Sequence, residues 1–284
     1  MKKNLTIIIS IFLIVCNAVI FSYLYYLTEA KLTVAFLDVG QGDAIFIKAP
    51  NGRQMLIDGG VNNSVLRELG KVMPFYDRSI DVVVATHADQ DHIGGLVPVL
   101  ERYDVDLFIR SNATSSSAVY LALGEIIKSK NIKEEIIISP TNLTLAPETE
   151  FKILFPDRDT AGWETNDSSI VGQLIYGDSS FLLTGDSPAS VEKILVDKLG
   201  SSLKSDVLKA GHHGSKTSSS ELFVGTVLPT YTIISAGLNN KYGHPNQETL
   251  EILTKFGGKI IKTMGQGRIV FKTDGNDLNF FQKK

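Results

Sequence analysis

The sequence has little cysteine, no excess of basic residues and none of the common nucleotide-binding motifs. A single cysteine among 284 residues excludes a disulfide framework and a cysteine-rich zinc module. Lysine and arginine total 28 against 31 acidic residues, so the net charge of −3 argues against nonspecific duplex binding through a basic surface. There is no Gly-x-Gly-x-x-Gly motif, P-loop or internal repeat. Only five histidines occur, and all of them fall in three short segments.

An uncharged apolar run covers residues 4–28 near the N-terminus. Its 25 residues exceed the roughly 20 that a helix needs to cross a bilayer. Lys2 and Lys3 precede the run, and by the positive-inside rule they hold the N-terminus in the cytoplasm. We therefore predict a single-pass membrane anchor in residues 1–30, with the remainder of the chain outside the cell. The alternative is a signal sequence cleaved near Thr28-Glu29-Ala30, which would make the protein secreted.

From residue 31 onward, short apolar runs alternate with helical patterns. Leu32–Leu37, Ala44–Lys48 and Gln54–Ile57 predict three successive strands, and the β-branched run Ile80–Ala85 predicts a strand buried on both faces. Strands begin each half of the segment and helices are interspersed. This pattern favours two sheets packed face to face with helices outside, rather than one doubly wound sheet. The predicted class is therefore α/β.

The densest polar segment follows the predicted strand Ile80–Ala85. It reads Thr-His-Ala-Asp-Gln-Asp-His over residues 86–92 and places His87, Asp89, Asp91 and His92 within six residues. Imidazole and carboxylate are the ligands that zinc and manganese accept. A solvated loop with incidental histidines is the alternative, but a buried strand before the segment and two glycines after it favour a metal site.

Two other histidine segments also follow predicted strands. His212 and His213 lie between Gly211 and Gly214, where the backbone can approach a ligand closely. Adjacent side chains at a strand end point in different directions, so we expect one of them to bind a metal and the other to contact an anion. His244 lies in a turn ahead of a helix, where a histidine is usually solvated or structural, so alone it is a weak indication of a site.

Four aspartates lie in turns beside apolar strands. Asp186 and Asp58 end the apolar runs that begin at Phe181 and Met55, while Asp38 and Asp43 bound the turn Asp-Val-Gly-Gln-Gly-Asp. A carboxylate at such a position can bridge two metals or can orient a metal-binding loop from behind. The spacing alone leaves both roles open.

Taken together, these segments resemble the metallo-β-lactamase superfamily of metal-dependent hydrolases. The likeness extends over essentially all of residues 31–284 and is greatest to the extracytoplasmic domain of the ComEC family of DNA-uptake proteins. It is carried by seven segments in the family's order: DVGQGD (38–43), LIDGG (56–60), THADQDHIGG (86–95), NDSSIV (166–171), LLTGD (182–186), KAGHHGS (209–215) and YGHP (242–245). The resemblance implies an αββα sandwich hydrolase domain over residues 31–284, preceded by one hydrophobic helix.

The resemblance also implies roles for particular residues. His87 and Asp89 would hold a first metal, Asp91, His92 and His213 a second, and Asp186 would bridge the two. Asp58, with Asp38 and Asp43, would support the ligands from behind.

This chain departs from most of the superfamily at the first metal. Asp89 stands where most members have histidine, and Asn166 replaces the third histidine. Loss of imidazole favours manganese or magnesium over zinc at that site, and leaves open whether the site is filled without substrate. The expected cofactors are therefore two divalent ions, Mn²⁺ or Zn²⁺. ComEC proteins carry many transmembrane helices, whereas this chain has one candidate span and so forms no transport channel.

The leading hypothesis is extracytoplasmic hydrolysis of a phosphodiester, with DNA or another nucleic acid as the substrate. Asp91 would relay a proton, while His212 and His244 would stabilise the reacting phosphate, which Asn166, Ser215 and Lys216 would help to bind. A phosphocholine or teichoic-acid esterase of the cell envelope is the first alternative, and the sequence shows no basic, aromatic groove that would exclude it. A membrane-tethered binding protein with a vestigial site is the second alternative.

Overall fold

The computed structural model describes residues 2–29, 31–256 and 258–283. Helix α1 (Lys2–Glu29) contains the window Ile7–Leu24, whose mean hydropathy of 2.6 makes it apolar and long enough to cross a membrane. The predicted hydrophobic N-terminal helix is therefore present, and by length and composition it could anchor the chain in a membrane. Met1 and Ala30 of the predicted anchor segment lie outside the described residues, as do the side chains of Lys2 and Lys3.

Fifteen strands are described. They are β1 (Leu32–Phe36), β2 (Ile45–Lys48), β3 (Gln54–Ile57), β4 (Ser79–Ala85), β5 (Asp104–Ser111), β6 (Lys133–Ile137), β7 (Thr141–Ala146), β8 (Thr149–Phe155), β9 (Val171–Tyr176), β10 (Ser179–Leu183), β11 (Val207–Lys209), β12 (Tyr231–Ile234), β13 (Lys259–Lys262), β14 (Arg268–Thr273) and β15 (Leu278–Lys283).

Seven helices follow α1 among the described residues. They are α2 (Ser64–Val72), α3 (Gln90–Ile93), α4 (Leu96–Arg102), α5 (Ala118–Ser129), α6 (Ala189–Leu199), α7 (Glu221–Val227) and α8 (Gln247–Lys255). Short 3₁₀ turns lie at Asn166–Ser168, Gly200–Leu203 and Gly211–Gly214.

The strands form two sheets. One has eight strands in the order β15-β14-β1-β2-β3-β4-β5-β6, and the other has seven in the order β13-β12-β11-β10-β9-β8-β7. The pairs β3–β4 and β10–β11, which matter for the site, are parallel. Carboxyl ends of parallel neighbours meet at the same edge of a sheet, so residues that follow these strands are brought together.

The layers are helix, sheet, sheet, helix. Residues of both sheets, including Phe36, Phe181 and Phe271, share one buried core between them. Helices α2, α4 and α5 pack on the outer face of the first sheet, and α6, α7 and α8 on that of the second. Each fully buried aromatic or aliphatic side chain contributes roughly 1.5–3 kcal/mol to folding. The predicted αββα sandwich is confirmed.

Three elements were not expected from the sequence. Helix α2 was missed because its nine residues include Gly70, which weakens the helical pattern. Strands β7 and β15 were missed because both are rich in polar residues and mostly half-buried or exposed. Helix α3 is a single turn, and it sets the direction of the Asp91 and His92 side chains.

Candidate metal centre

The candidate centre lies where the carboxyl ends of four strands meet, two from each sheet. Asp58 follows β3, the segment from Thr86 to His92 follows β4, Asp186 follows β10, and His212 and His213 follow β11. Gly42 allows the turn that carries Asp43 to close over this point, because a Cβ there would lie 1.9 Å from the Asp91 carbonyl oxygen. The distant sequence segments are thus brought into contact.

Four side chains converge on one point beside the Asp186 carboxylate. Asp186 Oδ2 lies 3.3 Å from His92 Nε2 and 3.4 Å from His213 Nε2, and the two nitrogens are 3.3 Å apart. Asp91 Oδ2 lies 3.3 Å from His213 Nε2. A tetrahedral ion with bonds of about 2.1 Å has ligand–ligand edges of about 3.4 Å. These four separations therefore match the edges of a tetrahedral site for one divalent ion.

The far nitrogens of the two histidines are already held. His92 Nδ1 lies 2.8 Å from Asp58 Oδ2, and His213 Nδ1 lies 2.9 Å from the Ser235 carbonyl oxygen. Since these acceptors take the Nδ1 protons, both Nε2 lone pairs face the convergence point. Asp58 also accepts hydrogen bonds from the Thr86 backbone and hydroxyl, at 2.8 and 2.7 Å. It thus ties His92 to the start of the segment that carries His87.

A second, wider group shares Asp186 Oδ2. His87 Nε2 lies 4.0 Å from that oxygen and 3.8 Å from Asp89 Oδ2. The Thr165 hydroxyl donates to Asp89 Oδ1 at 2.7 Å, and Asn166 is the next residue along. His87 Nε2 and Asn166 Oδ1 are buried and have no hydrogen-bond partner among the described residues. His87 Nε2 and the neighbouring oxygens of Asp89 and Asp186 thus offer ligand atoms for a further ion, at separations wider than those of the first group.

Buried charge in the cluster also suits cations. Burial, with the neighbouring His92, lowers the pKa of His87 to about 3, so its imidazole is neutral. Burial opposes protonation of His213, but the carboxylates of Asp186, Asp43 and Asp91 together outweigh it and raise the pKa of His213 to about 9. The pKa of His92 is raised for the same reason, by Asp186 and Asp58. Carboxylates that draw protons onto two buried imidazoles would be neutralised instead by divalent ions.

Asp43 lies behind the histidines. It is buried with Asp186, His92 and His213, and each of these four residues offers a ligand atom within 4.8 Å of the others. However, its oxygens approach the Nδ1 atoms, at 3.9 Å for His92 and 3.6 Å for His213, and those nitrogens are already engaged. The Asp43 carboxylate instead forms an ion pair with Lys209. We therefore assign Asp43 to support rather than to ligation.

Lys209 was not singled out from the sequence. Its side chain is fully buried, and its Nζ donates to the Gly185 carbonyl oxygen at 2.9 Å while pairing with Asp43. It also lies 3.6 Å from Asp186 Oδ1. Lys209 thus connects the two aspartates across the sheets. The available signal was a lysine directly after the apolar pair Val207-Leu208, where a third apolar residue would be ordinary.

His212 and His213 do not have strand-end geometry. Both have left-handed backbones, with φ of 47° and 56°, inside the 3₁₀ turn Gly211–Gly214. The expected alternation of strand side chains therefore does not apply. His212 Nε2 lies 3.7 Å from Asp186 Oδ2, and its Nδ1 is 3.0 Å from the Thr217 hydroxyl. His212 thus faces the same point as His213, but from farther away.

The remaining candidate residues, His244, Ser215, Lys216 and Asp38, lie outside the group of converging side chains. The His244 ring lies 5.5 Å from that of His212, and Tyr242 stacks on the His244 ring. His244 is half-buried, and we call this more exposed side of the centre its mouth. The Ser215 hydroxyl accepts from Thr217, and Lys216 is exposed. Asp38 has Glu68, Arg67 and Lys71 as its charged neighbours, and no contact joins it to the converging residues in the described part of the chain.

Asp58→Asn should weaken metal binding by about 10–100-fold, as losses of such supporting groups do. An amide that keeps its oxygen on Thr86 turns its N–H₂ group toward His92 Nδ1. The His92 proton is then driven to Nε2, where it blocks the lone pair that faces the ion. Calorimetric titration of Mn²⁺ into the metal-stripped protein measures the change.

Asp38→Asn is the matched control for that experiment. It makes the same substitution in an aspartate that does not contact the cluster, so its Mn²⁺ affinity should stay within about twofold of wild type. Equal losses in both variants would refute the support assigned to Asp58.

This fold and cluster define a class of protein. The sequence profile of a family described as "Metallo-beta-lactamase superfamily" matches residues 37–237, a range that includes every converging residue. The chain belongs to the metallo-β-lactamase superfamily.

Similar curated proteins include competence proteins. ComE operon protein 3 of Bacillus subtilis (strain 168) is 30% identical over 281 residues, which cover 91% of this chain and 35% of that protein. Recombination protein 2 of Haemophilus influenzae is 31% identical, over 91% of this chain and 30% of that protein. Competence protein ComA of Neisseria gonorrhoeae is 28% identical, over 86% of this chain and 32% of that protein. The predicted resemblance to ComEC-type competence proteins is confirmed, and the chain spans about a third of their length.

Solved structures support the fold. The metallo-β-lactamase fold protein YhfI of Bacillus subtilis has a TM-score of 0.54 at 14% identity, and covers 86% of this chain and 100% of its own. CmlA, a diiron β-hydroxylase of Streptomyces venezuelae, has a TM-score of 0.54 at 15% identity, over 89% of this chain and 54% of its own. At these identities the likeness concerns the fold alone.

Proposed function

We propose that this chain is a membrane-anchored, outward-facing phosphodiesterase that uses two divalent ions to cleave DNA or another nucleic acid. The observation that carries the proposal is the meeting of two ligand groups at Asp186 Oδ2. His92, His213 and Asp91 lie on one side of this oxygen, and His87 and Asp89 on the other. Similarity to competence proteins supports a nucleic acid as the substrate.

Two bound ions would supply an activated water molecule and neutralise charge on the attacked phosphate. The residues of the chain provide the rest. Asp58 and the Ser235 carbonyl group hold the imidazoles of His92 and His213 in one orientation. The Asp91 side chain is 25% exposed, so its carboxylate can exchange a proton with solvent. His212 Nε2 lies 3.7 Å from Asp186 Oδ2 and the His244 ring adjoins that of His212, so both rings can donate to oxygens of a phosphate bound beside Asp186.

The hard oxygen ligands on the His87 side favour Mn²⁺ there. Asp89 and Asn166 offer oxygen where most of the superfamily offers imidazole nitrogen, and oxygen ligands suit manganese better than zinc. The test is an activity matrix on the full chain in detergent. Metal-stripped protein is given Mn²⁺, Zn²⁺ or Mg²⁺ with single-stranded DNA, duplex DNA, RNA or a phosphocholine ester. Cleavage of a nucleic acid with Mn²⁺ is expected, and no cleavage of any nucleic acid would refute the proposal.

A phosphocholine or teichoic-acid esterase is the second candidate. The observation in its favour is Tyr242, which is 56% exposed and stacks on His244 at the mouth. An aromatic face at such a place can bind a quaternary ammonium group. Turnover of the phosphocholine ester without nucleic-acid cleavage, in the same matrix, would favour this candidate.

Protease added to intact cells should digest the catalytic part of the chain and leave a membrane-bound fragment that contains α1. The reason is that Lys2 and Lys3 should retain the N-terminus in the cytoplasm, which places residue 31 onward outside. Immunoblotting with tags at either end measures the result, and a cytoplasmic protein serves as the control for intact membranes. Full protection of the C-terminal tag would contradict this orientation.

A further inference from the structure

A groove lined with basic residues lies on the outer face of the eight-stranded sheet, apart from the candidate metal centre. Its volume is about 460 Å³, and six cationic side chains line it: Lys31, Lys48, Lys71, Arg268, Lys272 and Lys283. We call it the basic groove. The net charge of the chain is −3, so this concentration of cations is local. The sequence did not reveal it because these residues are spread from position 31 to position 283.

Sheet register assembles the basic groove. Thr33 of β1 pairs with Lys48 on one side and Lys272 on the other, so the two lysines flank it on the same face. Arg268 pairs with Lys283 across β14 and β15. Residues two apart along a strand share a face, which places Arg268 and Lys272 on the same side of β14. Three of the lysines, Lys48, Lys272 and Lys283, are exposed and form no ion pair with any described residue.

The basic groove also has apolar surface. Phe46 and Val270 form part of its floor, and Phe281, which is 49% exposed, stands at its rim. Cations along a groove with an accessible aromatic ring are the features by which proteins bind single-stranded nucleic acid, through phosphates and stacked bases. A planar bilayer would not enter a concave groove, so an extended polyanion fits this shape better than a membrane surface does.

Carboxylates are present at the edges of the basic groove. Glu68 lies 2.6 Å from Lys71 and 3.9 Å from Arg268, and Asp274 lies 3.8 Å from Lys31. They offset part of the charge at the two ends and leave the middle cationic. The Lys71 and Arg268 end adjoins a second cavity of about 210 Å³, which Asp38 also lines. Asp38 begins the turn that ends at Asp43, but neither cavity is lined by a candidate metal ligand.

We propose that the basic groove binds single-stranded nucleic acid. The inference rests on the proposed function for its substrate class, and it assigns binding to a surface that contains none of the candidate metal ligands. It predicts that the chain binds a single strand even when divalent ions have been removed.

The test is fluorescence anisotropy of a labelled oligothymidylate of about 16 nucleotides with the full chain in detergent and EDTA. The groove variant K48E/K272E/K283E should bind at least about tenfold more weakly at low salt. It should also lower the slope of log affinity against log salt by about 2, since each single-strand phosphate contact contributes about 0.7. The variant K128E/K133E/K204E makes the same change in net charge at exposed lysines elsewhere and should stay near wild type.

Thermal unfolding of each variant checks its fold, and K48A/K272A/K283A replaces the groove variant if charge reversal unfolds it. Equal losses in the groove and control variants would overturn the proposal, since net charge alone would then explain binding. Unchanged oligonucleotide binding with lost binding to anionic phospholipid vesicles would also overturn it, in favour of a lipid surface. Because EDTA prevents cleavage, a failure of DNA hydrolysis elsewhere would refute the proposed function without altering this result.

Discussion

Asp186→Ala should abolish metal binding at both ion positions and lower the rate of phosphodiester cleavage by about 10³-fold or more. The reason is geometric, because Asp186 Oδ2 lies within 3.3–4.0 Å of the Nε2 atoms of His92, His213 and His87. Removing it takes a ligand from both groups at once and leaves buried imidazoles without their counter-charge. Metal content by mass spectrometry and turnover of a labelled DNA strand measure the two effects.

Asp178→Ala is the matched control for that substitution. Asp178 is an exposed aspartate next to the opposite end of the same strand, β10, so it reports the effect of losing a carboxylate on this hairpin away from the centre. It should keep wild-type metal content and rate. If Asp186→Ala does not fold, Asp186→Asn replaces it in the same two measurements. Retention of both metal and activity in the Asp186 variants would refute the assigned centre.

His213→Ala should lose metal and activity, whereas His212→Ala should keep its metal and lose about 10²–10³-fold in turnover. His213 Nε2 is within 3.3–3.4 Å of three other ligand atoms, those of Asp91, His92 and Asp186. His212 Nε2 approaches only Asp186 Oδ2 in this group, at 3.7 Å. We therefore expect His213 to act as a metal ligand and His212 as a donor to the phosphate.

Metal content and turnover, measured on both variants, decide between these roles. His244→Ala should behave like His212→Ala and keep its metal while losing turnover. Loss of metal from His212→Ala with retention in His213→Ala would mean that the roles are exchanged. Wild-type rates in both variants would exclude the two histidines from the reaction.

Much of the fold was predictable because its core strands are local patterns. Gln54–Ile57 is an apolar run bounded by turn residues, and it forms a strand with the predicted bounds. The αββα layers followed from the order of strands and helices. The polar or partly exposed β7 and β15 were not predictable in this way, because they are stabilised by pairing with β8 and β14 rather than by their own pattern.

The candidate centre was predictable in composition but not in detail. Histidines and aspartates after apolar strands indicated which segments meet, and the structure brings His87, His92, Asp186 and His213 together. Lys209 could not be assigned, since a buried lysine requires Asp43 from 166 positions away to pair with it. The left-handed backbones of His212 and His213 depend on the contacts of their turn, so no local propensity indicated them. The basic groove likewise exists only once β1, β2, β14 and β15 have paired.

The central claim is that two divalent ions at Asp186 make this chain a nuclease. The measurement that tests it most directly is cleavage of single-stranded DNA by the EDTA-stripped full chain as Mn²⁺ is titrated, with bound metal counted at each point. The account predicts that activity returns as occupancy approaches two ions per chain, and that Asp186→Ala, prepared in the same way, stays inactive. A folded wild-type chain that binds Mn²⁺ to saturation without cutting DNA, or an Asp186→Ala chain that cuts as fast, would contradict it.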